Sequence, residues 1–263
     1  MDRAALQIVG GGKMGEALLA GLLRSEPDLA VRVVETHGPR AEELRAAHPS
    51  LEVADAPGPA EGTLIAVKPH LVAEVAAAVG AADGGRVLSI AAGVTIAALE
   101  AALPDGARVV RAMPNTPALV GAGAAAIAAG TDADDADLAW AEAILGAVGT
   151  VVRVPEHLLD AVTGLSGSGP AYAFLVLDAL IEGGVAAGLP RDVAEALAGQ
   201  TLLGAATLFL HGDASPGELR AAVTSPGGTT AEGLRVLEQR AVRAALIDAV
   251  LAARDRAVAL GAD

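Results

Sequence analysis

A glycine-rich segment near the start of the chain has the spacing of a dinucleotide phosphate site. Residues 8–18 read Ile-Val-Gly-Gly-Gly-Lys-Met-Gly-Glu-Ala-Leu and contain G-x-G-x-x-G at Gly10, Gly12 and Gly15. The first glycine permits a tight turn, the second lets a pyrophosphate approach the backbone, and the third allows close helix-to-strand packing. Helix N-terminal amides then attract the phosphates. We predict that NADPH or NADH binds at the residues of this turn, which are Gly10, Gly11, Gly12, Lys13, Met14 and Gly15.

An acidic residue follows at the distance expected for ribose recognition. Glu35 ends the second predicted strand, 20 residues beyond Gly15. A carboxylate there accepts hydrogen bonds from the adenosine ribose hydroxyls and favours NAD. Arg40 and His37 lie close behind, and either could instead face the 2′-phosphate of NADP or simply be an exposed loop charge. The sequence leaves the choice of cofactor open.

Three further loops follow predicted strands, and they end at one edge of the predicted sheet. The carboxyl edge is where open α/β sheets bind ligands, so we expect a nicotinamide pocket there. Lys68 lies in one of these loops, although a solvated lysine before a turn proline is an alternative reading. The further predicted cofactor contacts are Ala66, Val67, Lys68, Pro69, Ala91, Ala92, Gly93 and Met113.

The segment 223–232, Val-Thr-Ser-Pro-Gly-Gly-Thr-Thr-Ala-Glu, combines two glycines with a predicted helix start. Thr229 and Glu232 have the spacing of a capping box, so Thr229 is the expected N-cap and the Thr230 hydroxyl remains free. Paired glycines before a helix expose backbone amides that can hold a carboxylate. An ordinary capped helix start would explain Thr229 and Glu232 but not the paired glycines.

No metal site is predicted. The chain has no cysteine, which excludes a disulfide framework and a thiolate nucleophile and fits a reducing compartment. The five histidines show no ligand spacing and are read as solvated or structural; they are His37, His48, His70, His157 and His211.

Predicted strands and helices, which must position these residues, alternate through the first half of the chain. Short β-branched runs and Ala/Leu-rich stretches indicate βαβ units and a parallel sheet. Helices are expected at Lys13–Arg24, at Thr95–Ala102 with a Thr95 cap, and from about Asp132 to Val148 with a cap at Thr131 or Asp132. The predicted strands are Leu6–Val9, Val31–Val34, Thr63–Val67, Val87–Ile90, Val109–Arg111 and Thr150–Val154.

The second half is predicted to be helical. We place a dinucleotide-binding domain at 1–155 and a helical substrate-binding and dimerisation domain at 156–263. Ala, Leu and Val occupy nearly every face of stretches such as Ala194–Leu210, which four or five helices cannot bury alone. We therefore expect a second subunit to cover them, the alternative being a monomer with an Ala-rich core.

Composition narrows the classes of partner. The formal net charge is −14, which repels nucleic acid and anionic membrane. The longest uncharged stretch, Ala112–Thr131, contains prolines and glycines that a membrane-spanning helix would not carry, and no signal peptide is recognisable. We expect a cytoplasmic protein that binds a small-molecule substrate, with no nucleic acid and no membrane partner.

Over almost its whole length the sequence resembles the pyrroline-5-carboxylate reductase family. The resemblance rests on the glycine segment with Met14, on 66–70 and 91–95, and on 111–117. Its most specific parts are Asp-Ala-Val-Thr-Gly-Leu-Ser-Gly-Ser-Gly-Pro-Ala-Tyr at 160–172 and the segment 224–230.

The resemblance implies hydride transfer from NADPH or NADH to the C=N carbon of 1-pyrroline-5-carboxylate, which gives L-proline in the last step of proline biosynthesis. It also implies an N-terminal Rossmann domain with a parallel α/β sheet, a homodimer interlocked through the all-helical C-terminal domain, and often a ring of dimers. Thr230 would be catalytic, by orienting the ring nitrogen and assisting proton movement. The substrate-binding residues it implies are Asn115, Ser225, Gly228, Thr229, Thr230 and, as an acidic position in some relatives, Asp213.

Two segments depart from the family pattern. Residues 238–241 read Glu-Gln-Arg-Ala where relatives commonly have glycine, and the segment 35–40 follows no single family pattern.

A β-hydroxyacid dehydrogenase is an alternative enzyme, but that class uses a lysine in its helical domain and this chain has none after Lys68. A non-catalytic dinucleotide-sensing regulator would need a partner-facing surface such as a basic patch, which the sequence does not show.

Overall fold

The computed structural model of the chain describes residues 3–261. These residues form two compact units. The first contains the chain up to Ser168 together with the residues from Leu251 onward, and the second is Gly169–Val250. The first unit is α/β and the second is helical, which confirms the predicted fold class.

A single sheet runs through the first unit. Its strands are β1 (Leu6–Val9), β2 (Val31–Val34), β3 (Glu52–Ala54), β4 (Gly62–Ile65), β5 (Arg86–Ser89), β6 (Val109–Met113), β7 (Gly123–Ala129) and β8 (Gly149–Arg153). Within residues 3–261 their spatial order is β3-β2-β1-β4-β5-β6-β7-β8. Neighbouring strands are parallel except for the antiparallel pair β6 and β7. Six of these strands match the predicted ones within two residues, whereas β3 and β7 were not predicted.

Helices cover both faces of the sheet, as a parallel sheet requires. These helices are α1 (Lys13–Ser25), α2 (Gly38–Ala47), α3 (Val72–Ala81), α4 (Ile96–Ala102) and α5 (Asp135–Gly146). On one face, Leu18 of α1 and Leu44 of α2 pack in a core with Ile8 of β1. On the other face, Val9 of β1 packs in a core with Leu99 of α4. Each fully buried Leu or Ile contributes about 1.5–3 kcal/mol of transfer free energy.

Capping residues set two of these helix starts. Thr95 caps α4, because its hydroxyl accepts a hydrogen bond from the amide of Ala98 at 3.2 Å, and this prediction is confirmed. The predicted cap of α5 was wrong. Asp134 is the N-cap and forms a capping box with Asp137, whereas the Thr131 hydroxyl donates to Glu100 instead.

The switch in strand order around β1 creates the edge that matters for function. Val9 at the end of β1 is in register with Val34 of β2 and Ile65 of β4. The loops that follow these three strands therefore begin side by side at the carboxyl edge of the sheet. Crevices at such a reversal of strand order are the usual ligand sites of open α/β sheets.

The remaining helices follow β8. They are α6 (Leu159–Val162), α7 (Gly169–Ala186), α8 (Arg191–Leu210), α9 (Pro216–Ala222), α10 (Thr229–Gln239) and α11 (Val242–Gly261). A π-helical segment, Thr163–Gly167, connects α6 to α7. Large apolar side chains of the second unit are exposed in the single chain, among them Phe174, Leu175, Leu197, Leu203, Leu208 and Leu210. Its buried hydrophobic residues are Ala194 and Ala198. The second unit therefore leaves apolar surface that its own helices do not cover.

Candidate active site

A cavity of about 810 Å³ lies in the first unit at the carboxyl edge of the sheet. It is lined by most of the predicted cofactor contacts, which are Gly10, Gly12, Lys13, Met14, Glu35, Ala66, Val67, Lys68, Ala92 and Met113. The volume lies within the range typical of small-molecule and cofactor sites. The sequence motifs therefore converge on one cavity.

The glycine turn has the geometry that a bound pyrophosphate needs. Gly10 has φ +106°, and a Cβ there would lie 2.7 Å from the carbonyl oxygen of Ala66. A Cβ on Gly15 would lie 2.2 Å from the carbonyl oxygen of Gly10, so the start of α1 packs directly on the turn. A Cβ on Gly12 would meet nothing within 4 Å. Gly12 thus faces open space in front of the α1 N-terminus, where a phosphate fits.

The carboxylate of Glu35 is fixed beside this turn. Its Oε2 accepts a hydrogen bond from the amide of Gly11 at 3.0 Å, and its Oε1 accepts one from the amide of His37 at 2.8 Å. Glu35 is partly exposed and lines the cavity. The carboxylate retains lone pairs for ribose hydroxyls, because each oxygen has accepted one hydrogen bond.

The guanidinium of Arg40 lies on the other side of Gly11. Its Nε donates to the carbonyl oxygen of Gly11 at 2.7 Å, and its remaining groups pair with Glu43 and Glu16. The hydrogen bonds that Arg40 donates to the carboxylates, to Glu43 first and Glu16 second, raise the pKa of Arg40. Arg40 therefore links α1, α2 and the glycine turn.

Both lysines of the chain line this cavity. Lys13 begins α1, and Lys68 lies just beyond β4 and is followed by a 3₁₀ turn, Pro69–Leu71. Within residues 3–261 neither lysine forms a salt bridge. In a chain of net charge −14, these side chains supply local positive charge where a dinucleotide's phosphates would lie.

Five predicted cofactor residues do not line the cavity: Gly11, Gly15, Pro69, Ala91 and Gly93. Gly11 and Gly15 form the turn, and Ala91 is buried beyond the end of β5. Gly93 has φ +77°, and a Cβ there would lie 3.7 Å from the carbonyl oxygen of Leu260 in α11. Pro69 opens the 3₁₀ turn and is exposed.

Several lining residues were not predicted from the sequence. They are Thr36, Leu71, Glu74, Val75, Ile90, Pro114, Thr116 and Leu119, together with Val9 and Val34. Leu71, Glu74 and Val75 come from the turn and first helical turns after β4. The strand-turn-helix pattern of the sequence could have identified these three residues, because the first helical turns after a parallel strand flank the carboxyl edge of the sheet.

Asn115 is 9% exposed, and its side-chain amide is bonded at both ends. Its Nδ2 donates to the carbonyl oxygen of Ser166 at 3.0 Å, and its Oδ1 accepts from the amide of Ala124 at 2.8 Å. Ser166 belongs to the π-helical segment, so Asn115 ties that segment to the loop after β6. Short π-helical segments are frequent at functional sites.

A partly buried ion pair joins Glu156 to the sheet. Arg111 of β6 is 7% exposed and donates through a terminal guanidinium nitrogen to Glu156 Oε1 at 2.9 Å. The same oxygen accepts a hydrogen bond from the amide of Ile96 at 2.7 Å. Glu156 therefore links strand β6 to the start of α4.

The second unit contains the turn before α10. The amide of Gly228 donates to the carbonyl oxygen of Ser225 at 3.0 Å, and Gly227 has φ +68°. Proline followed by a glycine with positive φ indicates a type II turn. A Cβ on Gly228 would meet the Ser225 hydroxyl, so a larger residue there would displace that side chain.

The capping box predicted at Thr229 was wrong. Gly228 is the N-cap, Thr229 is the first residue of α10, and no side chain caps the helix. The turn places Gly228 in the extended conformation, φ −81° and ψ 171°, so the helix starts one residue earlier than predicted. In the part of the chain that the structure describes, the hydroxyls of Thr229 and Thr230 make no hydrogen bond, and both residues are exposed.

The predicted site residues thus divide between the units. The cofactor contacts and Asn115 belong to the first unit, and Ser225, Gly228, Thr229 and Thr230 belong to the second. Asp213 also belongs to the second unit and is exposed in the loop before α9.

Comparison with known proteins assigns the chain to a family. Residues 156–260 match the model of pyrroline-5-carboxylate reductase dimerisation, and residues 5–93 match the model of NADP oxidoreductases that are coenzyme F420-dependent. A pyrroline-5-carboxylate reductase of Synechocystis sp. is 47% identical over 97% of this chain and 98% of its own length. The chain belongs to the pyrroline-5-carboxylate reductase family.

Solved structures of pyrroline-5-carboxylate reductases share the whole fold. The Coxiella burnetii protein is 35% identical, with a TM-score of 0.92 over 98% of this chain and 99% of its own. The Plasmodium falciparum protein, solved with NADP bound, is 27% identical, with a TM-score of 0.85 over 99% of both chains. The family resemblance predicted from the sequence is therefore confirmed.

Membership in the pyrroline-5-carboxylate reductase family makes the chain an NAD(P)-dependent oxidoreductase with a small-molecule substrate. The match of residues 156–260 to the dimerisation model also confirms the prediction of a homo-oligomer, which accounts for the exposed apolar side chains of the second unit.

Two helical stretches, Glu156–Ala186 and Arg191–Leu210, are long and apolar enough to cross a membrane by length and composition alone. The sequence-based expectation overlooked them, because they combine uncharged runs with a few charged residues. Both stretches lie within the region matched to the reductase dimerisation model.

Proposed function

We propose that this chain reduces 1-pyrroline-5-carboxylate to L-proline with NADPH or NADH, the last step of proline biosynthesis. The observation that carries the proposal is the glycine turn whose Gly12 faces open space beside a cavity of about 810 Å³, in a chain 47% identical to a pyrroline-5-carboxylate reductase. When bound, the reduced dinucleotide supplies the hydride.

The first unit binds and orients the dinucleotide. The amides at the start of α1 and the ammonium of Lys13 hold the pyrophosphate, and Glu35 accepts hydrogen bonds from the adenosine ribose. Lys68, Ala92 and Met113 line the remaining wall, and the apolar part of that wall excludes water from the transfer.

The second unit binds the imino acid. Backbone amides around Gly228 and the hydroxyls of Ser225 and Thr229 hold the carboxylate, since the start of α10 offers amides that no side chain caps. The Thr230 hydroxyl orients the ring nitrogen and assists its protonation. Because a cyclic imine is basic, positioning of the two reactants supplies most of the catalysis.

Three further assignments belong to the same proposal. Residues 1–155 form the dinucleotide-binding domain, and 156–263 form the substrate-binding and dimerisation domain. The apolar helical stretches of the second domain face a partner subunit rather than lipid, and dimers assemble further into a ring. The enzyme is cytoplasmic and binds no nucleic acid.

The decisive experiment mixes purified protein with either reduced dinucleotide and 1-pyrroline-5-carboxylate and follows the near-ultraviolet absorbance of the reduced nicotinamide. Oxidation that depends on the imine supports the proposal. Dinucleotide binding without oxidation by either cofactor would instead leave a non-catalytic regulator.

A further inference from the structure

The choice between NADH and NADPH depends on the charges at the carboxyl end of β2 and the start of α2. The groups concerned are Glu35, His37, Arg40 and Glu43, the carboxylate that pairs with Arg40. A 2′-phosphate on the adenosine ribose would add a further dianion there, so it requires a cation that is free to bind it. Arg40 is the one permanent cation of the segment.

Arg40 is already committed to other groups. Its Nε donates to the Gly11 carbonyl oxygen at 2.7 Å, and one terminal nitrogen pairs with Glu43 at 2.8 Å while the other pairs with Glu16. These contacts use three of the five N–H donors of the guanidinium and fix its plane. If the guanidinium turned toward a phosphate, it would break them.

Glu35 adds a fixed negative charge at the same place. Two backbone amides, from Gly11 and His37, hold its carboxylate against the glycine turn. Glu35 therefore cannot turn away without leaving two amides unpaired. A second carboxylate, Glu74 of α3, lines the same cavity.

The local charges sum to a negative site. Glu16 and Glu43 both pair with the guanidinium of Arg40, and within residues 3–261 the carboxylate of Glu35 is held by the Gly11 and His37 amides and forms no salt bridge. The two lysines that line the cavity come from other elements, since Lys13 starts α1 and Lys68 follows β4. The imidazole of His37 is exposed.

We propose that Glu35 selects NADH and that Arg40 is a positioning residue of the glycine turn, which makes this chain an NADH-preferring member of its family. The inference rests on the proposed function and deepens it by naming the cofactor. It contrasts with the NADP bound to the Plasmodium falciparum relative.

The experiment measures the dissociation constants of NADH and NADPH by nicotinamide fluorescence, without imine, alongside kcat/KM for both. The expected Kd for NADH is lower by on the order of tenfold, because like charges repel strongly at a partly buried site. Equal constants, or tighter NADPH, would overturn the inference. Loss of turnover with both cofactors, while NADH still binds tighter, would instead refute only the proposed reaction.

Two variants separate the two roles. Glu35→Gln removes the charge and keeps an oxygen for the Gly11 amide, so NADPH affinity should rise while NADH affinity falls little. Arg40→Ala should weaken both dinucleotides by the same factor, because Arg40 acts through the turn. A selective loss of NADPH binding in Arg40→Ala would show that Arg40 binds the 2′-phosphate and would refute its assigned role.

The matched control is Glu42→Gln, which removes a charge from the exposed surface of α2 without touching a described contact. It should leave both constants unchanged. If Arg40→Ala does not fold, the wild-type ratio and its shift in Glu35→Gln still decide the inference.

Discussion

The side-chain amide of Asn115 donates to the carbonyl oxygen of Ser166 at 3.0 Å and so joins the loop after β6 to the π-helical segment. The segment also contacts the cavity wall, because a Cβ on Gly167 would lie 2.7 Å from Cε of Met113. The shape of the cavity wall at Met113 therefore depends on the hydrogen bond between Asn115 and Ser166.

Asn115→Asp tests this connection. The substitution keeps an acceptor for the Ala124 amide but places a carboxylate oxygen opposite Ser166, in a site that is 9% exposed. We expect the free energy of unfolding without ligand to fall by about 1–3 kcal/mol, as measured by urea denaturation. Gln239→Glu, an amide-to-carboxylate change at the exposed end of α10 that keeps the oxygen accepting from Arg235, should have little effect. Unchanged stability with a raised KM for the imine would assign Asn115 to substrate binding alone.

Gly12 and Gly15 should respond differently to alanine. In Gly12→Ala the new methyl group meets no protein atom within 4 Å, so stability should fall by less than about 1 kcal/mol. The methyl group would occupy the space proposed for the pyrophosphate, so the Kd of either dinucleotide should rise by about tenfold or more, a cost of about 1.4 kcal/mol.

Gly15→Ala is the matched variant. Its Cβ would lie 2.2 Å from the Gly10 carbonyl oxygen, and a backbone clash in a packed turn costs about 1–3 kcal/mol. Thermal unfolding should therefore shift to lower temperature in Gly15→Ala and remain nearly unchanged in Gly12→Ala. The opposite order would contradict the geometry of the turn.

The parallel sheet and the cofactor edge were predictable from the sequence, because β1, β2 and β4 are short apolar runs and the glycine spacing encodes a specific turn. Strand β7 was not predictable, because Gly-Ala-Ala-Ala-Ile-Ala-Ala has weak strand propensity. Its extended conformation comes from pairing with β6 and β8, which are distant contacts that local propensity does not encode.

The hydrogen bonds at the candidate site were predicted less well. Asn115 bonds to Ser166, which is 51 residues away in the sequence. Arg40 forms an ion pair with Glu16, which belongs to a different helix, α1. The capping error at Thr229 has a local cause, since the Pro-Gly turn competes with a threonine cap for the helix start. Sequence patterns locate such residues near a site but do not show which groups they bind.

The two threonines at the start of α10 offer a direct test of the proton-assisting group. Thr230→Val removes one hydroxyl and keeps the shape, so kcat should fall by about tenfold or more while the Kd of the dinucleotide remains nearly constant. Thr229→Val removes the neighbouring hydroxyl and should mainly raise KM, because that group is assigned to the carboxylate. If Thr230→Val weakened dinucleotide binding as much as it lowered kcat, Thr230 would not be the proton-assisting residue.

Ala241 offers a test of stability away from the site. It follows α10 and has φ +53°, a left-handed conformation that costs a residue with a Cβ about 1–2 kcal/mol relative to glycine. Ala241→Gly should therefore raise the free energy of unfolding by about 1 kcal/mol, less the greater entropy of glycine in the unfolded chain. Calorimetry should show a higher unfolding temperature with kcat unchanged.

The control is Ala245→Gly, four residues further on and inside α11. It should lower the unfolding temperature, since glycine in a helix interior costs about 1 kcal/mol. A lower unfolding temperature for Ala241→Gly would show that the turn between the last two helices carries no backbone strain.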